Sequence, residues 1–407
     1  MLLLKLSFRN VFRNLRRSIL TASVIGIGLG AVIFTDAYIL GMERNMIKSA
    51  TDTFLGHGQI HQVGYPAARE VEKVVLKGPL LIQQIAQDKK VSGYTSRVQS
   101  IGMLSSASDV ASILVSGIDP EKEAQMTPIQ KAVKEGAYFS ETGSREILIG
   151  QKLAKNLSVG LGDRLVLTLA QASTGELSQE MFRVSGIFRF GSNRIDESMA
   201  LIKIGDAQRL LGIGQDFHEL AVRFNEPNPS AETLAQFEKA YSKEGNEALG
   251  WRQLMPEFQA ILDMMGYVTG ATIVIVFGIV ALSVMNCLFM AFFERIFEFA
   301  VLRAIGTRPY QMALMVTLEA AVLSALGVFM GLVIGGGFTG ILAVWGIDYG
   351  GIEMQGVTMQ ESVFPVVNWK QFFLYPLFFF GFSVLVGLYP AIHTARLVPA
   401  KAMKAGQ

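Results

Sequence analysis

Cysteine is nearly absent: the 407 residues hold one, Cys287. No disulfide can form within the chain, so cysteine usage says nothing about the redox compartment. Histidine is scarce too, at four. His57 and His61, in HGQIH, fall on one face of a strand because side chains alternate. Two imidazoles without a third ligand do not make a zinc site. The pair reads as a polar strand face, and no metal is expected. The phosphate-cradling GxxxxGK(S/T) pattern does not occur, nor do HExxH, GxSxG or CxxC. The chain therefore reads as no enzyme, with no cofactor of its own and no nucleic-acid partner. Charge is short as well, at 17% of residues against about a quarter in soluble domains.

The deficit of charge is local. Residues 18–35, 264–293, 320–347 and 371–392 carry no Asp, Glu, Lys or Arg. About 20 apolar residues cross a bilayer core of roughly 30 Å, so four transmembrane helices are expected. The first run is longer than the apolar core of a signal peptide and lacks a clear small-x-small exit before Gly41. Before it stand Lys5, Arg9, Arg13, Arg16 and Arg17 with no acid, and after the last run stand Arg396, Lys401 and Lys404, again with no acid. Excess Lys and Arg marks the cytoplasmic side, which puts both termini there. Phe8, Val11, Phe12 and Leu15 recur at helical spacing, with Arg9, Arg13 and Arg16 on another face. This pattern predicts an amphipathic helix on the membrane surface, apolar face in lipid and arginines toward phosphates.

Between the first two runs lie about 220 residues of mixed texture, enough for one or two cores. HGQIHQV, SRVQSIGML, VASILVSGI, REILIG, DRLVLTLA, MFRVSGIFRF, SMALIKI and HELAVRF read as strands. QKLAKNLSV, DAQRLLG and SAETLAQFEKAYSKE read as helices. Helices interrupting runs of strands predict an α+β domain. WRQLMPEFQAILDMM reads as a helix running straight into the second span.

Small residues recur every four positions at Ser18, Ala22, Gly26 and Gly30, and at Gly327, Gly331 and Gly335. Such stripes allow close approach of helix backbones, although the sequence does not say against which helix. Glu319 interrupts the third run. An acid inside a membrane span is a functional candidate, and no basic partner is visible in the neighbouring spans. Asp36 lies near the outer end of the first span and needs no special role.

The stretch FERIFEFAVLRAIGTRP, residues 293–309, sits between two uncharged runs yet holds Glu294, Arg295, Glu298, Arg303 and Arg308. As a helix it pairs Arg295 with Glu298 at i, i+3. Phe293, Ile296, Phe297, Ala300 and Val301 form an apolar stripe. Gly306 ends the helix and Pro309 opens the next span. A short amphipathic helix there can rest on lipid or fill the groove of a partner. Glu298→Lys separates the two readings, because a charge reversal is cheap on headgroups and costly at a protein interface.

ERIFEFAVLRAIGTRPYQM resembles the cytoplasmic coupling segment of MacB/FtsX-type ABC transporter permeases. LYPAIHTARLVPAKAMKAG resembles their C-terminal ending, ILIGQKLAKNLSVGLGDRLVLT the turn-rich core of their periplasmic domain, and LSFRNVFRNLRRSILT their N-terminal entry. GHGQIHQVGY is most similar to the lipoprotein-releasing members. The resemblance implies an α-helical membrane protein with four transmembrane helices and a large α+β periplasmic domain inserted between the first and second. The order is a cytoplasmic amphipathic helix (1–17), helix 1 (18–42), the periplasmic domain (43–262), helix 2 (263–293), the coupling helix (294–309), helix 3 (310–346), a short periplasmic loop (347–370), helix 4 (371–393) and a cytoplasmic tail (394–407).

The resemblance also implies a bacterial inner-membrane permease subunit that transmits the motion of two separate ABC ATPase subunits. ATP and Mg would be bound by those partners, and a second permease chain, the same or homologous, would complete the membrane part. Glu294, Arg295, Glu298, Arg303 and Gly306 would meet the ATPase. The implied task is release of lipoproteins to a periplasmic carrier, with TLAQASTGELSQEMF as the segment where a carrier-binding hairpin would lie. The family's other tasks are export of peptides or amphiphiles through an outer-membrane duct and regulation of cell-wall hydrolases without transport.

Overall fold

The computed structural model describes residues 2–140, 143, 145–348, 353–354, 357–358 and 362–396. Lys401, Lys404 and the closing LVPAKAMKAG lie outside the described residues, as does part of the expected 347–370 loop. The chain divides into two compact units: Met1–Glu43 with Ile261–Asp348 and Val363–Gln407, and Arg44–Ala260 with Tyr349–Ser362.

The first unit is helical. An N-terminal helix (Leu2–Arg13) precedes a first long helix (Leu15–Ala50). A second (Pro256–Glu294), a third (Pro309–Trp345) and a fourth (Trp369–Ala395) follow, with a short helix (Ile296–Ala304) between the second and third. All four long helices have the length and apolarity to cross a membrane. The first, second and fourth outrun the expected spans at both ends, because a helix does not stop where its charges begin, and the third runs from Pro309 to Trp345 against the expected 310–346. The first continues past residue 42 to Ala50. WRQLMPEFQAILDMM is not one helix: Trp251–Leu254 is a separate turn, and Met255 breaks the path. Pro256 then opens the second long helix, where its missing N–H costs nothing. Ile25, Leu29, Ile33, Val284, Leu288, Phe292, Val316 and Ala320 share one buried apolar cluster.

The second unit is built on a ten-stranded mixed sheet. Its strands are β1 (Gly58–Gln62), β2 (Val91–Ser105), β3 (Val110–Ile118), β4 (Val133–Gly136), β5 (Glu146–Gly150), β6 (Arg164–Ala170), β7 (Leu177–Phe188), β8 (Met199–Lys203), β9 (Glu219–Phe224) and β10 (Asn246–Gly250). The order is β10-β1-β9-β2-β3-β8-β5-β7-β4, with β6 bridging β2 and β7. β2 is long enough to change partners on one edge, pairing with β9 over its first half and with β6 at Met103–Ser105. The β3–β8 and β5–β7 pairs are parallel and the rest antiparallel. Side chains of β6 alternate between buried and half-exposed, as one covered face requires. The helix Pro120–Met126 is capped by Asp119, whose carboxylate accepts from the amides of Glu121 and Lys122, and Ser230 caps Ala231–Tyr241.

Candidate functional site

The short helix is fixed from inside. Phe299 and Ala300 are fully buried. Arg295, at its N-cap, donates from Nε to Glu298 (2.8 Å) and from Nη1 to Glu319 (2.9 Å), and its guanidinium lies 5.2 Å from the Phe299 ring. The i, i+3 pair is thus formed as the spacing predicts. Glu319 Oε1 also accepts from Asn10 Nδ2 at 2.7 Å. Glu319 is therefore paired, although no basic partner stands in the neighbouring spans. Its partner lies between the spans, which is why a search within the spans misses it.

The N-terminal helix closes the same network. Arg13 reaches Glu298 at 3.0 Å, and Arg17 reaches Glu294 at 2.7 Å. Ser7 donates to the Met315 carbonyl, and Val11 is buried. This corrects the expected surface helix in part: of Arg9, Arg13 and Arg16, Arg13 is paired while Arg9 and Arg16 are exposed. Phe8, Phe12 and Leu15 do stay exposed, but Val11 turns into the protein and Arg13 and Arg17 are held by carboxylates. Burial opposes the charge of Arg295, yet the bonds from Glu298 and Glu319 outweigh it and hold its pKa above the ordinary value. The hydrogen bond from Arg295, with a second from Arg13, holds the Glu298 carboxyl below the usual range.

Three of the five expected contact residues, Glu294, Arg295 and Glu298, thus spend their charges inside the chain. Arg303 Nη1 closes the helix end on the Thr307 carbonyl at 3.0 Å. Gly306 adopts φ +103°, a left-handed conformation that suits glycine. The expected apolar stripe splits: Ala300 is buried, whereas Phe293, Phe297 (56% exposed) and Val301 face outward, joined by Ile305 (75% exposed). Four apolar side chains at every fourth residue are the outward feature of the segment.

The glycine stripes find each other. An added Cβ at Gly26 would lie 2.9 Å from Met330 Cβ and 3.1 Å from the Gly327 carbonyl. One at Gly327 would meet Ile25 Cβ at 2.6 Å and the Ala22 carbonyl at 3.1 Å. Gly331 packs on Leu29, and Gly335 on Gly30, where an added Cβ would come within 2.8 Å of Cα. The first and third long helices therefore touch backbone to backbone, the contact that small residues permit. Asp36 is not idle: it accepts from Nε2 of the buried Gln371 at 3.0 Å.

In the second unit, His57 and His61 serve the core. His57 Nδ1 accepts from the Phe224 amide, and burial, with the nearby Arg223 charge, lowers its pKa to about 4. His61 stacks on Tyr65, and Tyr65 on His218. His61 also bonds Gln59 and the His218 carbonyl. The segment TLAQASTGELSQEMF is a hairpin between β6 and β7, with Gly175 at φ +70° in its turn and Leu177 and Met181 exposed.

Sequence reasoning missed the largest buried ionic group. Arg97 on β2 grips Glu123 through Nε (3.0 Å) and Nη2 (2.8 Å) and Glu219 through Nη1 (2.6 Å), and none of the three is appreciably exposed. Its Nη1 also donates to the Phe54 carbonyl, and its guanidinium stacks on the Phe54 ring at 3.9 Å. Phe54 belongs to a π-turn, Thr51–Leu55, that follows the first long helix, and Asp52 of that turn pairs with Arg223 at 3.0 Å. A charged residue among β-formers in SRVQS was the available signal.

Residues 18–240 match the MacB-like periplasmic core domain, and residues 270–399 match the FtsX-like permease C-terminal region. The lipoprotein-releasing system transmembrane protein LolC of Xylella fastidiosa is 23% identical over 415 residues, covering 94% of this chain and 93% of that protein. LolE of Haemophilus influenzae, which carries the same description, is 22% identical over 400 residues with the same coverage. The crystal structure of the periplasmic region of MacB from Actinobacillus actinomycetemcomitans overlays with a TM-score of 0.35 at 11% identity, covering 50% of this chain and 92% of that one. Because the first of these family matches alone takes in more than half of the 407 residues, the chain belongs to the MacB/FtsX-like permease family.

Proposed function

We propose that this chain is the membrane-spanning subunit of an ABC transporter that passes the motion of separate ATPase subunits to its 44–260 unit. In this reading both termini and the short helix lie on the cytoplasmic side of a bacterial inner membrane, and the 44–260 unit lies in the periplasm. The chain itself hydrolyses nothing; ATP and Mg belong to two partner ATPase subunits, and a second permease chain completes the membrane part. The relatives named above are lipoprotein-releasing proteins, which makes lipoprotein the favoured substrate. The exposed Leu177 and Met181 of the β6–β7 hairpin then supply an apolar contact for a periplasmic partner.

The observation that carries the reading is the two-sided short helix. Its inner side is held by Phe299, Ala300 and Arg295, and its outer side presents Phe297 and Val301, flanked by the exposed Phe293 before it and Ile305 after it. A helix locked to the bundle and apolar on its free face can receive a push and deliver it. The test is Phe297→Ser, with co-purification of the ATPase and ATP turnover of the complex in nanodiscs as readouts. A buried aromatic anchor at an interface is worth about 2 kcal/mol or more, so ATPase recovery should fall more than roughly tenfold while the chain still inserts. Wild-type recovery and turnover would mean that the outer face rests on lipid.

A further inference from the structure

Beside the network of the short helix lies a cavity of about 140 Å³, bordered by the N-terminal helix and the first, second and third long helices. The volume accommodates roughly four waters at about 30 Å³ each. Arg13, Arg17 and Arg295 contribute to its wall, against Glu294 and Glu319. Both glutamates are already held: Glu294 by Arg17 Nη1, and Glu319 by Arg295 and Asn10. Arg17 is not used up. Its Nε is buried and meets no acceptor, and its one hydrogen bond runs through Nη1. The Nε–Nη2 edge of its guanidinium is therefore free, and that edge is a planar fork matched to two oxygens of a phosphate or carboxylate. Arg13, one turn earlier, bonds only through Nη1. The amides of Asn10 and Asn14 complete the polar wall. Because a buried guanidinium N–H left without a partner is costly, an anion there would lower the energy of the folded chain.

We infer that the cavity bounded by Arg13, Asn14, Arg17 and Cys287 is a binding site for a phosphate group, gripped by the free Nε–Nη2 edge of Arg17. The phosphate is either that of a glycerophospholipid headgroup or free phosphate, and both present the same oxygens to the fork. The site does not depend on the transport reading above. Cys287, the sole cysteine, lines the cavity and is a free buried thiol, so it reports occupancy directly.

The experiment uses the full chain, delipidated in detergent, and measures the rate of Cys287 alkylation by iodoacetamide. The probes are dihexanoylphosphatidylglycerol, dihexanoylglycerol without the phosphate, and inorganic phosphate. At ten times its dissociation constant a probe should slow the reaction about tenfold. Protection by the phospholipid but not by the other two assigns the site to lipid. Equal protection by inorganic phosphate assigns it to the free anion. No protection by either phosphate-bearing probe overturns the site. Arg17→Gln should abolish protection, and Arg17→Lys, which keeps the charge without the fork, should weaken it. Glu294→Gln, which removes an acid from the wall, should preserve or strengthen it. Equal loss of protection in Arg17→Gln and Glu294→Gln would show that the pair is merely structural, and the site would be withdrawn.

Discussion

The Glu319–Arg295 tie can be weighed by removing its partners one at a time. Glu319 is 5% exposed and Arg295 is 8% exposed, with 2.9 Å between Oε1 and Nη1. Glu319→Leu strands Arg295 on the bundle side, and loss of one partner of a buried pair costs about 3–5 kcal/mol. Arg295 keeps Glu298, which is half exposed, so the lower end, about 3 kcal/mol, applies here. Replacing both, Arg295→Met with Glu319→Leu, removes the stranded charge. What remains is the Asn10 amide, which loses an acceptor at about 1 kcal/mol, while Glu298, half exposed, keeps Arg13. The double substitution should therefore be less harmful than the single one, by about 2 kcal/mol. The single buried cysteine supplies the assay: a fluorogenic thiol reagent follows exposure of Cys287 on heating in detergent at one scan rate. About 1 kcal/mol moves a midpoint by roughly 2–4 °C in a unit of 150–250 residues. The single variant should then melt about 6–12 °C lower and the double about 2–4 °C lower, on that scale. A single variant as stable as wild type, or a double as damaged as the single, would refute a tie of this kind.

The glycine seam predicts that Gly331→Leu, whose Cβ would lie 2.8 Å from Leu29 Cβ, lowers the Cys287 midpoint, whereas Gly337→Leu, with nothing within 4 Å, does not. Overpacking costs about 1–3 kcal/mol, and equal behaviour of the two variants would break the argument. The proposed orientation in the membrane predicts that, in a Cys287→Ser background, an impermeant thiol reagent labels Ser173→Cys and spares Thr307→Cys in intact spheroplasts; the opposite pattern would invert the topology. In the 44–260 unit, His57 holds a folded pKa of about 4 against 6.5 unfolded. Stability is full above the unfolded value and falls with pH toward the folded one, by about 2 kcal/mol between pH 7 and pH 5. Hydrogen exchange of the Phe224 amide, which donates to His57, should show this slope in the full chain, and His57→Asn should flatten it. Identical slopes would clear His57 of the effect.

What was legible follows from range. The four spans were readable because a bilayer imposes its length on a contiguous run. VASILVSGI was readable as β3 because its apolar content is local. β10, NEALG, was missed: its alternation becomes visible only beside β1, where Ile60 faces Ala248. The parallel pairs β3–β8 and β5–β7 were not legible either, since crossovers leave no mark at the strand itself. The stripes at Ala22, Gly26 and Gly30 and at Gly327, Gly331 and Gly335 announced close packing but not their mutual contact, some 300 residues apart in sequence. Arg97, Glu123 and Glu219 form one ionic group from three distant places, and one-dimensional spacing cannot bring them together.

The same limit decides which substitution interrogates the short helix. By sequence, Glu298 is an outward charge, and Glu298→Lys would separate a lipid contact from a protein contact. In the structure Glu298 accepts from both Arg295 and Arg13. A lysine there would place a third cation against two guanidiniums and loosen the N-terminal helix whether or not an ATPase ever docks. Loss of function in that variant would be expected under either reading, so it discriminates nothing. Phe297 stands on the opposite footing: it is 56% exposed and holds no intrachain tie of this kind, so Phe297→Ser leaves the ionic frame in place and alters only what meets the outer face. If both variants lose the ATPase while only Glu298→Lys exposes Cys287 early, the frame and the docking face are separate devices. If Phe297→Ser also exposes Cys287, the outer stripe is part of the fold, and the docking reading fails.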